Sequence, residues 1–140
     1  MMRKEILRFP FDWYPRVVVN LAEKNTLSKP WIKVLKSSDV NDGQGRLMIQ
    51  SEFAEKHIER IILKKKGEDS QVGIQVSVFN GDLRKYKMVY KRWVKDKGVY
   101  VLTSGWNHFY KSSQLKVNSI IRLWAFRHVV TKKLCFAITY

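Results

Sequence analysis

Apolar and polar residues alternate along much of this chain, which is the period of a β-strand with one buried face. Residues 74–78 alternate in this way, and residues 85–91 place Tyr86, Met88 and Tyr90 on one face with lysines on the other. Further strands are predicted at residues 31–36, 47–49, 99–103, 120–126 and 134–139. The pattern therefore predicts about seven strands.

Turn residues and helical spacing interrupt these strands. Asn80-Gly81 predicts a tight hairpin turn that needs two residues with positive φ. Apolar residues at three- and four-residue spacing predict a helix over residues 51–63 with Ser51 as its N-cap, and a second short helix is predicted near residues 106–111. Because the chain lacks a β-α-β alternation, a mainly antiparallel, closed or half-closed sheet is favoured.

The first part of the chain is predicted to be an N-terminal extension. Asp12 can cap a short helix that has Pro15 in its first turn and a modest apolar stripe. A helix this short is marginal alone in water, so we expect it to dock on the sheet or to pair with another chain. The predicted division is an extension over residues 1–29 and a domain over residues 30–140.

Positive charge is concentrated in the second half of the chain. Residues 1–82 hold 14 Lys and Arg against 11 Asp and Glu, whereas residues 83–140 hold 13 against a single acid, Asp96. The two parts therefore contribute +3 and +12 to the net charge of +15. Such a field on an aromatic-rich folded scaffold suits a polyanion, with nucleic acid the leading partner and an anionic membrane surface the second.

Composition narrows the class of protein further. A hydrophobic fraction of 45% with 13% aromatic residues over 140 residues is typical of one globular domain. Cys135 is the single cysteine, so an intramolecular disulfide is excluded and a reducing compartment is indicated. Apolar runs fall short of the roughly 20 residues of a membrane span, and the N-terminus lacks the unbroken apolar region of a secretion signal. We therefore interpret the chain as soluble and intracellular, with no membrane partner.

The residues that could carry catalysis or bind a metal form no recognised pattern. The soft metal ligands are His57, His108, His128 and Cys135, and none has the spacing of a zinc pair. The Gly43-Gln44-Gly45 stretch lacks the remaining residues of a phosphate-binding loop. No nucleophile has an evident base, so we predict a protein that is not an enzyme and needs no metal or cofactor.

The most basic segment runs from Arg84 to Lys97, and residues 91–98 are predicted to form the turn between two strands. Loops on rigid scaffolds are where recognition groups usually lie. Lys91 and Arg92 can donate to guanine O6 and N7, and Lys95 and Lys97 can neutralise phosphates. The competing interpretation is a solvated hairpin tip, but such tips usually mix both signs of charge.

Several short motifs resemble the plant-specific B3 DNA-binding domain. They are Lys36-Ser37-Ser38-Asp39-Val40, Arg46-Leu47-Met48-Ile49, Ala54-Glu55-Lys56-His57, Tyr100-Val101-Leu102-Thr103-Ser104-Gly105-Trp106 and Ile121-Arg122-Leu123-Trp124. They occur in the family's order and at compatible spacing over about residues 31–139. The end of the chain, residues 122–127 with residues 134–137, is similar to a poorly characterised plant subgroup of B3 domains. The resemblance implies a seven-stranded open β-pseudobarrel flanked by two short helices.

The resemblance also implies that two loops, here called the first arm (residues 36–46) and the second arm (residues 91–98), grip the major groove of DNA. First-arm candidates are Lys36, Ser37, Ser38, Asn41, Gln44 and Arg46. Second-arm candidates are Lys91, Arg92, Trp93, Lys95 and Lys97. Ser51 is a further candidate, although Gln50-Ser51 stands where many members have Pro-Lys, so a basic contact is expected to be lost there.

These observations predict a double-stranded DNA-binding module of a plant transcriptional regulator that acts in the nucleus. The main alternative is a protein-interaction module that kept the fold and lost base readout. The N-terminal segment could also bind a protein partner or a second copy of this chain. A third alternative, the recognition domain of a nuclease, is supported only by the wider fold relationship. Charge alone does not exclude RNA binding.

Overall fold

The computed structural model describes residues 15–63, 67–93 and 98–140. The strands are β1 (Trp31–Val34), β2 (Arg46–Ile49), β3 (Ile74–Phe79), β4 (Lys85–Trp93), β5 (Val99–Thr103), β6 (Ile120–Arg127) and β7 (Leu134–Thr139). The helices are α1 (Arg16–Leu21), α2 (Ser51–Phe53, continuing with a wider winding as Ala54–Ile62) and α3 (Trp106–Ser112). Single helical turns lie at Lys24–Thr26 and Ser37–Val40.

The strands form a seven-stranded sheet in the order β1-β6-β7-β3-β4-β5-β2. β3 and β7 run parallel and the other neighbours run antiparallel. The sheet curls into an open half-barrel whose two edge strands are β1 and β2. The predicted fold class is confirmed, and the parallel pair makes the sheet mixed.

The inward faces of the strands enclose the main core. Its largest fully buried side chains include Tyr90, Trp106, Phe109 and Phe136. Gly105, just before α3, lies so close to β4 that a Cβ atom there would be 2.2 Å from the carbonyl oxygen of Lys87. Glycine at this position lets α3 cover one end of the barrel.

A second apolar cluster lies on the outer face of β6 and β7. Val18 of α1 is fully buried there against Trp124 and Phe126. The chain that follows α1 runs beside β6, where Ser28 N donates to the Ala125 carbonyl and Ala125 N donates to Ser28 Oγ. The described part of the N-terminal segment therefore docks on the barrel. Asp12, the predicted cap, lies outside the described residues.

The predicted two-residue turn between β3 and β4 is wrong. The connection has five residues, 80–84, and its positive φ falls on Leu83 at 67° rather than on Asn80 or Gly81. The buried Asn80 side chain accepts hydrogen bonds at 2.9 Å from the backbone N–H groups of Asp82 and Arg84. These two bonds close the loop around the amide and stabilise a longer turn.

Helix α2 is present as predicted, but its beginning and its buried face differ. Ser51 is the first helical residue, and Gln50 occupies the N-cap position without a side-chain capping bond. In the wider winding, the N–H of Leu63 bonds to the carbonyl of Ile58 at 2.8 Å. Residues five apart are then linked, and Ile61, expected on the apolar stripe, is 50% exposed.

Candidate nucleic-acid interface

Asp39 is the buried centre of the first arm, which joins β1 to β2. Its carboxylate accepts hydrogen bonds from Lys33 Nζ at 3.0 Å and from Lys36 N at 2.8 Å. Arg46 Nη1 lies 3.6 Å from the same carboxylate, and the Trp106 indole donates to the Asp39 carbonyl at 2.6 Å. The short helical turn of the arm is therefore held from both edge strands and from α3.

Lys33 bridges the open seam of the barrel. Besides Asp39, its ammonium donates to the carbonyl of Met48 on β2 at 2.7 Å, which links the two edge strands. Burial lowers the pKa of Lys33, while the hydrogen bond to Asp39 acts in the opposite direction. The Asp39 carboxylate balances the charge of the Lys33 ammonium, which makes a largely buried cation tolerable in the seam. The Lys33 ammonium can therefore hold the base of the first arm to β2.

The tip of the first arm is a compact turn built on Asn41. Its side-chain oxygen accepts a hydrogen bond from Gly43 N at 2.8 Å, and its carbonyl accepts one from Gln44 N at 3.0 Å. Gly45 has φ of 61°, a conformation that favours glycine, and its carbonyl accepts a bond from Thr103 Oγ1. The tip thus has a defined shape on the sheet.

Helix α3 clamps this tip through Asp42. Tyr110 donates to one carboxylate oxygen of Asp42, and Lys111 Nζ donates to the other at 2.6 Å. The hydrogen bond from Lys111, and to a smaller extent the one from Tyr110, holds the pKa of Asp42 below its usual range. The bond to Asp42 in turn raises the pKa of Tyr110 to about 12. The side chain of Asn107 donates to the Asp42 carbonyl at 3.1 Å.

The first-arm candidates differ in exposure. Lys36, Ser37 and Gln44 are exposed, as is Asn41 at the tip, and Ser38 is half-buried. Arg46 is buried, and its guanidinium donates to the Ser38 carbonyl at 3.0 Å as well as lying beside Asp39. The structure therefore places Arg46 within the scaffold of the arm and leaves the other candidates at its surface.

A cleft of about 480 Å³ opens at the seam and brings three of the predicted site residues together. It is lined by Lys36 and Ser38 of the first arm, by Ser51 at the start of α2 and by Gly98 at the end of the second arm. A Cβ atom at Gly98 would lie 3.7 Å from the Cβ of Ser51. The end of the second arm therefore approaches the first helical turn of α2, opposite the first arm.

The second arm begins in a strand rather than in a turn, because β4 continues to Trp93. Lys91, Arg92 and Trp93 pair with Val101, Tyr100 and Val99 of β5, and all three are half-buried. The predicted turn over residues 91–98 is therefore shortened by three residues. Lys95 and Lys97 lie outside the described residues, so their contacts stay predictions.

Arg92 lies at the end of the barrel beside α2. Its guanidinium is 5.9 Å from the centre of the Tyr100 ring, and its Nε is buried with no hydrogen-bond partner among the described residues. Tyr100 in turn donates to Glu55 at 3.2 Å, and burial raises its pKa to about 12. At this distance the guanidinium makes a cation–π contact with the ring.

Sequence reasoning missed the residues that support the first arm. Lys33, Tyr110 and Lys111 appear in the sequence only as strand and helix positions, and Asp39 only as part of a motif. One signal was available, because Asp39 lies between two cations of the flanking strands. An acid placed so in a basic chain indicates an internal ion pair.

Two classes of site are not seen in the described ranges. Histidine, cysteine and acidic side chains form no group of three or more that could hold a metal ion among these residues. None of the helices in the described ranges is long and apolar enough to span a membrane. His57 packs against Phe53, and Cys135 is buried.

Comparison with known proteins places these features in a family. The model of the family described as B3 domain-containing protein At2g31720-like matches residues 11–140. Among curated relatives from Arabidopsis thaliana, B3 domain-containing protein At4g03160 is 41% identical over 74% of this chain and 53% of its own length. B3 domain-containing protein At4g03170 is 36% identical over 98% and 56%. The chain thus spans about half the length of the curated relatives it matches.

Solved structures share the fold. The structure titled Arabidopsis thaliana transcription factor LEC2-DNA complex aligns with a TM-score of 0.56 and 22% identity, covering 76% of this chain and 88% of that one. The Arabidopsis FUS3-DNA complex aligns with a TM-score of 0.51 and 17% identity, covering 77% and 93%. At these identities the likeness shows the fold of the half-barrel.

Proposed function

Because the chain belongs to the At2g31720-like family of B3 domain-containing proteins, we propose that it is a double-stranded DNA-binding module of a plant transcriptional regulator. In this proposal the two arms enter the major groove and the module works in the nucleus. The structure titles of FUS3 and LEC2 describe DNA complexes of the same fold, which supports DNA as the partner.

One observation carries the proposal, namely the cleft in which the first arm, the start of α2 and the end of the second arm meet. Lys36, Ser38 and Ser51 supply a cation and two hydroxyl groups to its lining. Such groups bind phosphate and sugar oxygens and fix the orientation of a protein on the duplex. The arms on both sides of the cleft then carry the side chains that can reach base edges.

Different residues are assigned different contacts. Gln44 at the exposed tip can form paired hydrogen bonds with adenine, and Lys91 and Arg92 can do so with guanine. The Asn41 amide nitrogen can donate to a base or a phosphate while its oxygen holds the turn. Lys36, Lys95 and Lys97 are assigned to phosphates, and Trp93 to packing beside the second arm. Arg46 contributes by holding the arm in shape. The +12 charge of residues 83–140 supplies the attraction that is independent of sequence.

A selection from random duplexes at physiological salt tests this function. We expect enrichment of a defined motif, and the affinity for that motif should fall steeply as salt rises. Contact with about five phosphates corresponds to a slope of log K against log salt of about −4 to −5. A nearly flat salt dependence would contradict the electrostatic part of the proposal.

The alternative function is a protein-interaction module that kept the fold without base readout. Two observations favour it: Arg46 is engaged inside the scaffold, and Ser51 stands where a basic contact is expected in related domains. In that case the same selection would enrich no motif, while weak binding with a steep salt dependence would persist. Duplex preferred over single strands separates both functions from a single-strand reader.

A further inference from the structure

A basic groove of about 550 Å³, separate from the cleft at the seam, lies on the outer face of the sheet above β3. The strand register places Lys87, Ser77 and Cys135 in one row across β4, β3 and β7. Lys85 lies opposite Phe79 in the next row. Ser77, Phe79 and Cys135 therefore form the floor, and two exposed lysines of β4 form one wall.

The opposite wall comes from the connection between β6 and β7. Lys133, Thr131 and His128 line it, and the His128 ring lies 6.5 Å from the ring of Phe79. Burial raises the pKa of the Cys135 thiol to about 11, and the charges of Lys85 and Lys133 act on it in the opposite direction. Lysines on both walls are thus close enough to Cys135, on the floor of the groove, to influence its pKa electrostatically.

This charge is not neutralised within the groove. No Asp or Glu among the described residues lines it. The acids beside the β6–β7 connection are already engaged, since Glu23 pairs with Lys132 at 2.6 Å and Glu68 pairs with Arg127. A ligand that lies between the walls therefore meets positive charge from two sides.

The groove is well separated from the cleft between the arms. β3 is the fourth of seven strands, so two strands separate it from each of the two edge strands that border the seam. The groove and the cleft share no lining residue among those described. A duplex gripped by the arms would leave this outer face accessible.

We propose that this groove binds an acidic segment of a partner protein while the arms hold DNA. The ligand must be narrow enough to lie between two walls, which fits an extended peptide and excludes a second duplex lying flat. Carboxylates would bind Lys85, Lys87 and Lys133, and an apolar side chain would contact Phe79. This role goes beyond the proposed DNA binding and does not depend on it.

The test uses the full chain and a short fluorescein-labelled peptide of alternating aspartate and leucine, with binding followed by fluorescence anisotropy. K85E/K87E should weaken peptide binding by about tenfold. K133E, on the opposite wall, should weaken it as well. The matched control is K116E/R122E, which makes the same change of charge at exposed positions outside the groove and the cleft. It should alter peptide binding by less than about twofold. Adding a saturating duplex should leave the peptide bound.

Three results would overturn the proposal. Equal losses in K85E/K87E and in the control would show attraction by the whole protein's field. Displacement of the peptide by the duplex would place it at the arms. A second duplex bound per chain and removed by K85E/K87E would make the groove a nucleic-acid site. Thermal melting checks each variant, and if K85E/K87E fails to fold, K133E decides alone.

Discussion

Polar residues in and beside the first arm either fix its backbone or face solvent. Asp39, Lys33 and Arg46 are directed inward and satisfy one another. Lys36 and Gln44 are exposed and remain available to a ligand. A loop built in this way presents its binding groups without first having to become ordered, which lowers the entropic cost of binding.

The hydrogen bond between Tyr110 and Asp42 can be measured by titration. We expect the Tyr110 pKa of about 12 to fall toward about 10 in D42N. Because the folded-state pKa is raised, this bond stabilises the fold below about pH 10, and the stabilisation is lost as pH rises toward 12. The difference between phenolate absorbance titrations of the two proteins measures the shift, and in a Y110F background that difference should disappear. An unchanged titration would show that the clamp is absent in solution.

Loss of the same clamp should also weaken DNA binding. Y110F removes the Tyr110 bond and leaves those of Lys111 and Asn107, so the tip is held less firmly and affinity for the selected motif should fall by about two- to tenfold. H108A alters an exposed residue of the same helix and serves as the control. If Y110F binds the motif as tightly as the unmodified chain, the arm does not need the Tyr110 bond for its shape.

Arg92 is expected to contribute to base readout. R92A should cost about 1–3 kcal/mol on the selected motif and much less on random duplex, because the paired donors of the guanidinium, held beside the Tyr100 ring, can read guanine. R92K keeps the charge and loses the planar donor pair, so it should behave like R92A on the motif. Equal losses on both duplexes would identify Arg92 as a backbone contact.

Elements were predicted from the sequence more accurately than the faces they bury. Each predicted strand exists, because alternation over several residues reports a half-buried face directly. β1 shows the limit: Ile32 and Val34 point outward and are 53% and 50% exposed, while Lys33 points inward. Periodicity cannot reveal that a buried acid from the next loop satisfies an inward lysine.

Loop contacts were the least predictable part of the candidate site. The arms were located by resemblance, but the end of β4 and the clamp by α3 depend on contacts between residues far apart in sequence. Tyr110 and Asp42 are separated by 68 positions, a distance over which spacing carries no signal. The sequence therefore pointed to the two loops whose residues line the cleft, and it left open which of their residues face it.

The junction between the edge strands and the first arm should depend on Asp39. D39A would leave Lys33 and Arg46 buried without their shared acid, so the free energy of unfolding should fall by about 3–5 kcal/mol. Urea denaturation measures this, and D82A, at an exposed position of the β3–β4 connection, is the control and should change stability by less than about 0.5 kcal/mol. Similar stability of the two variants would argue against the junction.

At the scale of the whole molecule, the cleft, the groove and the N-terminal segment occupy different parts of the barrel. The cleft lies at the seam, the groove lies above β3, and α1 covers the outer face of β6 and β7. We propose that residues 1–29 form an extension that stabilises the domain of residues 30–140 without reading bases.

Deleting residues 1–29 tests this division. The deletion exposes Trp124 and Phe126, so the melting temperature should drop by roughly 5–10 °C while the selected DNA motif stays the same. In the full chain, V18D should reproduce the drop and V19D should not, because Val18 is fully buried and Val19 is 42% exposed. A truncated protein of unchanged stability that selects a different motif would make the segment a recognition arm.

The parallel pairing of β3 with β7 has a consequence for the order of folding. β2, β3, β4 and β5 come from one continuous stretch of chain, whereas β1, β6 and β7 come from its two ends. Contacts between residues close in sequence form early, and the pairing that unites the two groups of strands closes long loops. The first arm connects β1 of one group to β2 of the other. The shape of the first arm is therefore completed only when the barrel is assembled. Under the proposed function, a partly folded chain already carries the positive charge that attracts DNA but lacks the arm that would enter the groove.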